Sequence, residues 1–410
     1  MRFFADLHIH SRYSIATSRD LTPETLWRWA QFKGVTVVAT GDATHPAWLK
    51  ELGRKLDFAG NGLFVLREEF RVNGIPVSCA SDVFFLVSAE ISCIYSKNGK
   101  TRKVHCIVLF NDMESALRLQ RRLSKIGNIS SDGRPILGLD AKRLLKIVID
   151  ECPDALFIPA HAWTPHFSVF GSASGFDSLE ECFEELTPHI HAIETGLSSN
   201  PAMNWRLSAL DRLTLISNSD AHSPQKIGRE ANIFDTDLSY GAIADAIRTK
   251  EGFEGTVEFF PEEGKYHYDG HRPCKVRMTP QEAAASGFRC PACGRKMTLG
   301  VLNRVEALAD RQPGFTPACG KSFHSLVSLK EIIAGTVGMG VQTKTVDRIY
   351  FGLLEKLGSE LTILMEVPAG EIAGAGKPEI ARALANMRAG RVEIEPGYDG
   401  EYGKIKIFEG

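Results

Sequence analysis

The chain has 410 residues, 43% of them hydrophobic and 24% charged, with a formal net charge of −2. That balance is ordinary for a globular protein of two or three domains and excludes one held to nucleic acid by overall charge, so a polyanion would be met by local patches or by metal. The N-terminal apolar run stops at Asp6 and no stretch of eighteen apolar residues follows, so no membrane span is expected and a cytoplasmic setting is.

In chain order, the first 235 residues repeat one theme: a short apolar run, then polar or ionisable residues, then a helical stretch. Strands are expected at Phe3–Leu7, Val35–Thr40, Val83–Ala89, Val104–Phe110, Ala155–Pro159, Ala192–Thr195 and Leu213–Ser217. Between them, helices are expected at Pro23–Phe32, Met113–Lys125, Ala141–Asp150 and Pro201–Leu210. The alternation implies an α/β fold with a parallel sheet, and seven strands favour a closed barrel over an open sheet. A basic region follows over 255–311; its part from Lys265 to Arg311 has nine Lys or Arg against four Asp or Glu. The remainder, 312–410, is mostly helical in pattern and closes on an alternating run, Lys404–Phe408, that reads as a short strand.

Ligand-type residues fall beside nearly every expected strand of the barrel. The first strand is followed by His8 and His10, the second by Asp42 and His45, and the third by Glu90. His105 opens the fourth, His161 follows the fifth, Glu194 lies in the sixth, and Asp220 and His222 follow the seventh. The C-terminal strand ends of a β/α barrel meet at one mouth, so these residues can converge. Imidazoles and carboxylates suit Zn, Mn or Mg, and two ions about 4 Å apart can clamp a phosphate and lower the pKa of water to about 7. Glu90 and Asp220 are the expected bridging carboxylates, with Asp220 also orienting or deprotonating the attacking water, and His10, His161 and His222 fixing the ions. Arg206, Lys226 and Arg229 are candidates for holding non-scissile phosphates.

Asp6-Leu-His8-Ile-His10, Gly-Asp42, Glu90, Pro-Ala-His161 and Ser-Asp220-Ala-His222 together resemble the motifs of the PHP (polymerase and histidinol phosphatase) superfamily. The resemblance implies a distorted (β/α)7 barrel over 1–240 with phosphoesterase activity and two or three divalent ions. One departure is visible: Asp42 is followed by Ala43 where the superfamily commonly has His, and His45 lies two positions further on.

Five cysteines (Cys79, Cys93, Cys106, Cys152 and Cys182) are scattered singly, as reduced thiols are. The other four are close together. Cys290-Pro-Ala-Cys293-Gly is a knuckle that, with Cys274, reads as a structural zinc site. His271 and Cys319 compete for the fourth ligand position. Further on, Gly338-Met-Gly340-Val-Gln-Thr-Lys344 precedes an expected helix and is either a DNA-backbone contact through Lys344 and nearby N–H groups or a simple turn.

Tyr266-His-Tyr-Asp-Gly-His271-Arg, the Cys290 knuckle, the run from Leu299 to Arg311, the run from Glu194 to Arg206 and the Glu395–Phe408 tail are similar to the endonuclease Q family over essentially the whole chain. That resemblance implies a DNA repair nuclease that nicks 5′ to deaminated bases (uracil, hypoxanthine, xanthine) and abasic sites. Trp163, His166, Phe167, Phe170 and Trp205 are then candidates for stacking on a flipped base. The partner is DNA carrying a damaged base, with no membrane. A sliding clamp or a helicase is the kind of protein partner left open, although no clamp-binding motif stands near the C-terminus. Two alternatives remain: a small-molecule phosphatase of the histidinol-phosphatase type, and a non-catalytic helicase-associated nucleic-acid-binding module.

Overall fold

The computed structural model describes residues 1–407. Seven strands form the barrel: β1 (Arg2–Asp6), β2 (Val37–Ala39), β3 (Phe84–Lys97), β4 (Lys100–Phe110), β5 (Leu156–Pro159), β6 (Ala192–Glu194) and β7 (Thr214–Ile216). All seven lie where apolar runs placed them. Parallel pairing holds for β1–β2, β2–β3 and β6–β7, but β4 runs antiparallel to both β3 and β5. The expected all-parallel order fails there because β3 and β4 form one long hairpin. Its two-residue turn is Asn98-Gly99, both at positive φ (54° and 71°), the conformation that such a tight connection needs. As a result Glu90 lies inside β3 rather than after it.

No ladder joins β5 to β6; the ring closes there through the Ala162 N–H donating to the Glu194 carbonyl at 2.9 Å. Between β7 and β1 it closes through the Asp220 N–H on the His8 carbonyl (2.9 Å) and an Ile9–Ala221 bridge. Alternate strand residues share a face. Phe3, Ala5, Val37, Leu86, Ile107, Leu109, Leu156, Ile158, Ala192 and Ile216 accordingly make one apolar cluster, plugged by Ile243 and Ile247 of the helix Tyr240–Thr249. The opposite strand faces pack on the surrounding helices, among them Pro23–Lys33, Met113–Leu123 and Ala141–Glu151.

The helix expected over Pro201–Leu210 is cut short, to Pro201–Asn204 and a turn at Ser208–Leu210. Leaving the helix frees the Arg206 carbonyl to accept the Asp310 and Arg311 N–H groups, at 3.1 Å each. Outside the ring, Ala231–Asp235 pairs antiparallel with β1 and Phe253–Glu258 pairs with it in turn. Ser322–Ser325 adds a parallel edge strand, so residues beyond 312 complete the barrel's own sheet. Helices Leu329–Val337, Lys344–Leu357, Glu360–Met365, Ala369–Ala375 and Pro378–Arg388 follow. They dock on Pro23–Lys33 through a buried ion pair, Lys33 to Glu360 at 2.6 Å, where Glu360 also accepts the Tyr350 hydroxyl at 2.7 Å. A last hairpin, Glu393–Glu395 with Lys404–Lys406, confirms the terminal strand; Phe408 lies outside the described residues. Its loop returns to the cysteine region, where Tyr268 N–H donates to the Gly397 carbonyl at 2.9 Å. Among the described residues no helix is long and apolar enough to cross a membrane.

Candidate metal centre at the barrel mouth

Strand ends deliver most of the ligand-type residues to one spot, and the long β3–β4 hairpin brings Glu90 and His105 there from within its strands. Reaching it takes close approach and strain: Gly41 packs against the Ile9 carbonyl so closely that a Cβ would overlap it, and Asp42, His161 and Asp220 all have positive φ. Non-glycine residues in the left-handed region concentrate at sites where function over-determines the backbone.

Two groups of ligand atoms form, and Glu90 belongs to both. His8, His10, Glu90 and Asp220 bring one atom each within 4.8 Å of one another, as do Glu90, His105 and His161. His10 Nε2 lies 3.3 Å from Glu90 Oε2 and 3.0 Å from Asp220 Oδ1, while the other Glu90 oxygen lies 2.7 Å from His105 Nδ1 and 3.2 Å from His161 Nε2. His8 Nε2, His10 Nε2 and Asp220 Oδ1 are buried without a hydrogen-bond partner. Three orphaned lone-pair atoms facing one point are costly unless a cation occupies it. Burial works to raise the Glu90 carboxyl, but His105, His8 and Arg134 hold it well below the usual carboxylate range. Burial pushes His105 down to about 4 against the opposing pull of the Glu90 charge.

Behind these atoms stand orienting groups. Asp42 accepts His10 Nδ1 at 3.1 Å, and its second oxygen accepts Ser11 N, Ser11 Oγ and Ser14 Oγ at 2.7, 2.6 and 2.8 Å. Glu194 accepts His8 Nδ1 at 3.0 Å, Asn218 Nδ2 at 2.9 Å and His161 N at 2.7 Å. Both carboxylates were expected as ligands; their oxygens are instead committed to protein donors, so they fix the imidazoles from behind. His45 is a correction of the same kind. Its Nε2 meets the Ser130 carbonyl at 3.1 Å and its Nδ1 accepts Trp48 N at 3.4 Å, so it caps the helix Pro46–Lys55 with no nitrogen left for an ion. His222 sits at the rim, its Nδ1 on the Asp220 carbonyl at 2.8 Å, outside both groups.

Arg134 was not expected. Its Nη1 lies 3.2 Å from Glu90 Oε2 with the side chain 23% exposed, so it faces the mouth. It stands in the loop after the helix Met113–Leu123, just before a two-residue strand, Ile136–Leu137, that pairs in parallel with β3; the Ser-Ser-Asp-Gly-Arg turn was its only trace in the sequence. Of the expected phosphate holders, Arg206 is buried and paired with Glu306 at 2.5 Å, away from the mouth groups. Arg229 donates to the Ser219 carbonyl at 2.9 Å, and Lys226 is exposed. Of the aromatic candidates, Trp163 and Phe170 are core residues 4.9 Å apart, with Trp163 Nε1 donating to Asn204 at 2.7 Å. Burial removes both from the choice of base platforms. Trp205 is half-buried against Phe323, and His166 is exposed. Phe167 is half-buried at φ 63°, 4.8 Å from the His105 ring. Lys344 is exposed at a helix start where Gly338 closes the preceding helix, an arrangement a simple turn explains.

In the cysteine region His271, Cys274, Cys290 and Cys293 bring ligand atoms within 4.8 Å of one another, with His271 Nδ1 3.5 Å from Cys293 Sγ. Cys319 is elsewhere, its thiol on the Asp211 carbonyl at 3.3 Å, which leaves His271 as the fourth member. A hydrogen bond from the Arg295 backbone lowers the Cys293 thiol, as a knuckle turn should.

A family model described as the MJ0043 C-terminal domain matches residues 328–391. The uncharacterised protein MJ0043 of Methanocaldococcus jannaschii is 32% identical over 257 residues, 60% of this chain, which spans about a third (31%) of that relative's length. The crystal structure of the lesion-specific endonuclease PfuEndoQ from Pyrococcus furiosus superposes with a TM-score of 0.86 at 32% identity, covering 100% of this chain and 96% of that one. An endonuclease Q complex with a 27-mer duplex bearing an abasic lesion at its active site gives 0.85 at 32% identity, over 100% and 97%. Identity at that level, sustained across the barrel, the cysteine region and the helices alike, means that this chain belongs to the endonuclease Q family.

Proposed function

We propose that this protein is a metal-dependent DNA endonuclease that hydrolyses the phosphodiester 5′ to deaminated bases and abasic sites. The observation that carries the proposal is Glu90 shared between two ligand groups, in a chain that matches endonuclease Q over its full length. His8, His10, Glu90 and Asp220 would hold one divalent ion, and Glu90, His105 and His161 a second. Bound there, such ions supply a polarised phosphate and a water of lowered pKa. Asp220, whose side chain is 19% exposed, would orient that water and accept its proton, and Arg134 would hold a non-bridging phosphate oxygen. Asp42 and Glu194 fix the tautomers of His10 and His8, leaving each Nε2 free to bind. A structural zinc on His271, Cys274, Cys290 and Cys293 belongs to the same proposal, as does a division into a barrel over 1–240, a zinc-binding region over 255–311 and a mainly helical region over 312–410, with Phe253–Glu258 and Ser322–Ser325 lent to the barrel's sheet.

A small-molecule phosphatase would have no use for the basic cysteine region, and a relict site would not keep both ligand groups intact. The test is direct. Labelled duplexes with a single uracil, hypoxanthine or abasic site are incubated with the protein and Mg²⁺, Mn²⁺ or Zn²⁺. Nicking on the 5′ side, absent with Asp220→Asn, is the expected result; intact lesion strands with every metal overturn the reading.

A further inference from the structure

The loop Ser11–Ser18, which leaves the mouth directly after His10, combines three properties that rarely coincide. It is held at the rim, with Ser14 Oγ on Asp42 Oδ2 at 2.8 Å and Ser18 N–H on the His222 carbonyl at 2.8 Å. It is fixed: Gly133 N–H donates to the Tyr13 carbonyl at 2.9 Å, Tyr13 stacks on His45 at 4.5 Å, and Thr17 Oγ1 closes on the Ser11 and Ser14 carbonyls. Yet its tip displays a large apolar side chain, Ile15, 63% exposed, next to Ala16 at φ 63°.

A single exposed isoleucine is unremarkable on a flexible surface. Here the backbone around it is pinned and strained, which concentrates at working sites. One carboxylate oxygen, Asp132 Oδ1, accepts both Ile15 N at 3.1 Å and Arg134 N at 3.2 Å, and Arg134 in turn touches Glu90. Ile15 is therefore held at a set position relative to the residue shared by both ligand groups.

Resting on the endonuclease reading above, we propose that Ile15 is an apolar wedge that enters the base stack of duplex DNA beside the bond to be cut. Proteins that kink duplexes or turn bases out insert apolar side chains between base steps, offsetting the cost of unstacking. A β-branched side chain suits the task because its rotamer freedom is small. Arg12, paired with Glu51 at 2.7 Å, and the exposed Arg19 just past the loop flank Ile15 in the chain, where backbone phosphates would pass.

The test uses the full chain, Ile15→Ala and Ile15→Ser, on two substrates: a fully paired duplex with one abasic site, and the same site inside a preformed bubble. With 2-aminopurine beside the lesion, wild type should raise the fluorescence of the paired duplex and the variants should not. Paired-duplex cleavage should fall by about 10- to 100-fold, with bubble cleavage within about twofold of wild type because unstacking is already done. Equal cleavage of the paired duplex by variants and wild type overturns the wedge, and so does an equal loss on both substrates, which would mark a merely structural role. A wild type that cuts neither substrate overturns the endonuclease reading itself.

Discussion

At the barrel mouth the ligand-type residues come from strands and strand ends spread between residues 8 and 220 and sit above a large apolar core. In the cysteine region they come from residues 271–293, around a core of Ala283, Cys290 and Met297 with a few half-buried neighbours. The mouth is thus built by the fold and can exist before any ion binds, with carboxylates and serines holding its imidazoles in place. The cysteine region has almost nothing else to hold it. On the proposed reading, similar side chains carry opposite burdens: chemistry in one place, folding in the other.

Breaking the mouth should remove activity and spare the fold. Glu90→Gln takes a shared carboxylate from both ligand groups, so lesion cleavage should fall on the order of 10³-fold or more. The melting temperature should stay near that of wild type; a collapse on heating would mean that the ions hold the barrel together. Breaking the cysteine site should do the reverse. With the proposed zinc bound, Cys290→Ser should forfeit most of its contribution, about 10 kcal/mol. Limited proteolysis should then cut within 265–300, whereas barrel peptides stay protected. Protection equal to wild type would show that the segment folds without metal.

The unequal legibility of the two regions in the sequence has the same origin. Seven apolar runs announced seven barrel strands because a buried strand needs nothing more than such a run. The turn of the β3–β4 hairpin was visible as Asn98-Gly99, but the regular βα rhythm around it argued for parallel neighbours, and β4 defied it. Which ligand-type residues face the ions was not legible, because a hydrogen-bonding partner is a three-dimensional fact. Asp42 and His45 look alike as ligands until Ser11, Ser14, Trp48 and Ser130 are seen to occupy their lone pairs or N–H groups. Arg134 was invisible because it reaches the mouth from a long loop. His271 could be preferred to Cys319 only once Asp211 was found against the latter.

A finer probe of the mouth is Glu194→Gln, which weakens the grip on His8 Nδ1 while leaving the ligand atoms in place. Loss of such a supporting partner typically lowers metal affinity by about 10- to 100-fold. Cleavage should recover as Mn²⁺ is raised, and failure to recover at any concentration would place Glu194 among the ligands after all.

The smallest effect concerns pH, and the two regions should respond with opposite signs. Burial raises Glu258 to about 8, and Glu230 lies well above its ordinary value through burial and the Glu258 charge. In the unfolded chain such carboxyls titrate near 4.5. Between those values the folded state keeps protons that the unfolded state releases, so their contribution is full below about 4.5 and is lost as pH rises through 8. Glu258→Gln can keep its amide oxygen for Thr195 and Ser217, turns an N–H toward the Thr256 hydroxyl oxygen, and has no proton to lose. Denaturation at pH 5.5 and 8 with metal held constant should show a shallower loss of stability in the variant; an unchanged slope would assign the pH dependence to other groups. The cysteine site should go the other way, because protons compete with zinc for thiolates and loosen it as pH falls. Proteolysis within 265–300 should therefore quicken on acidification, over the range where the buried acids of the barrel are at their most stabilising.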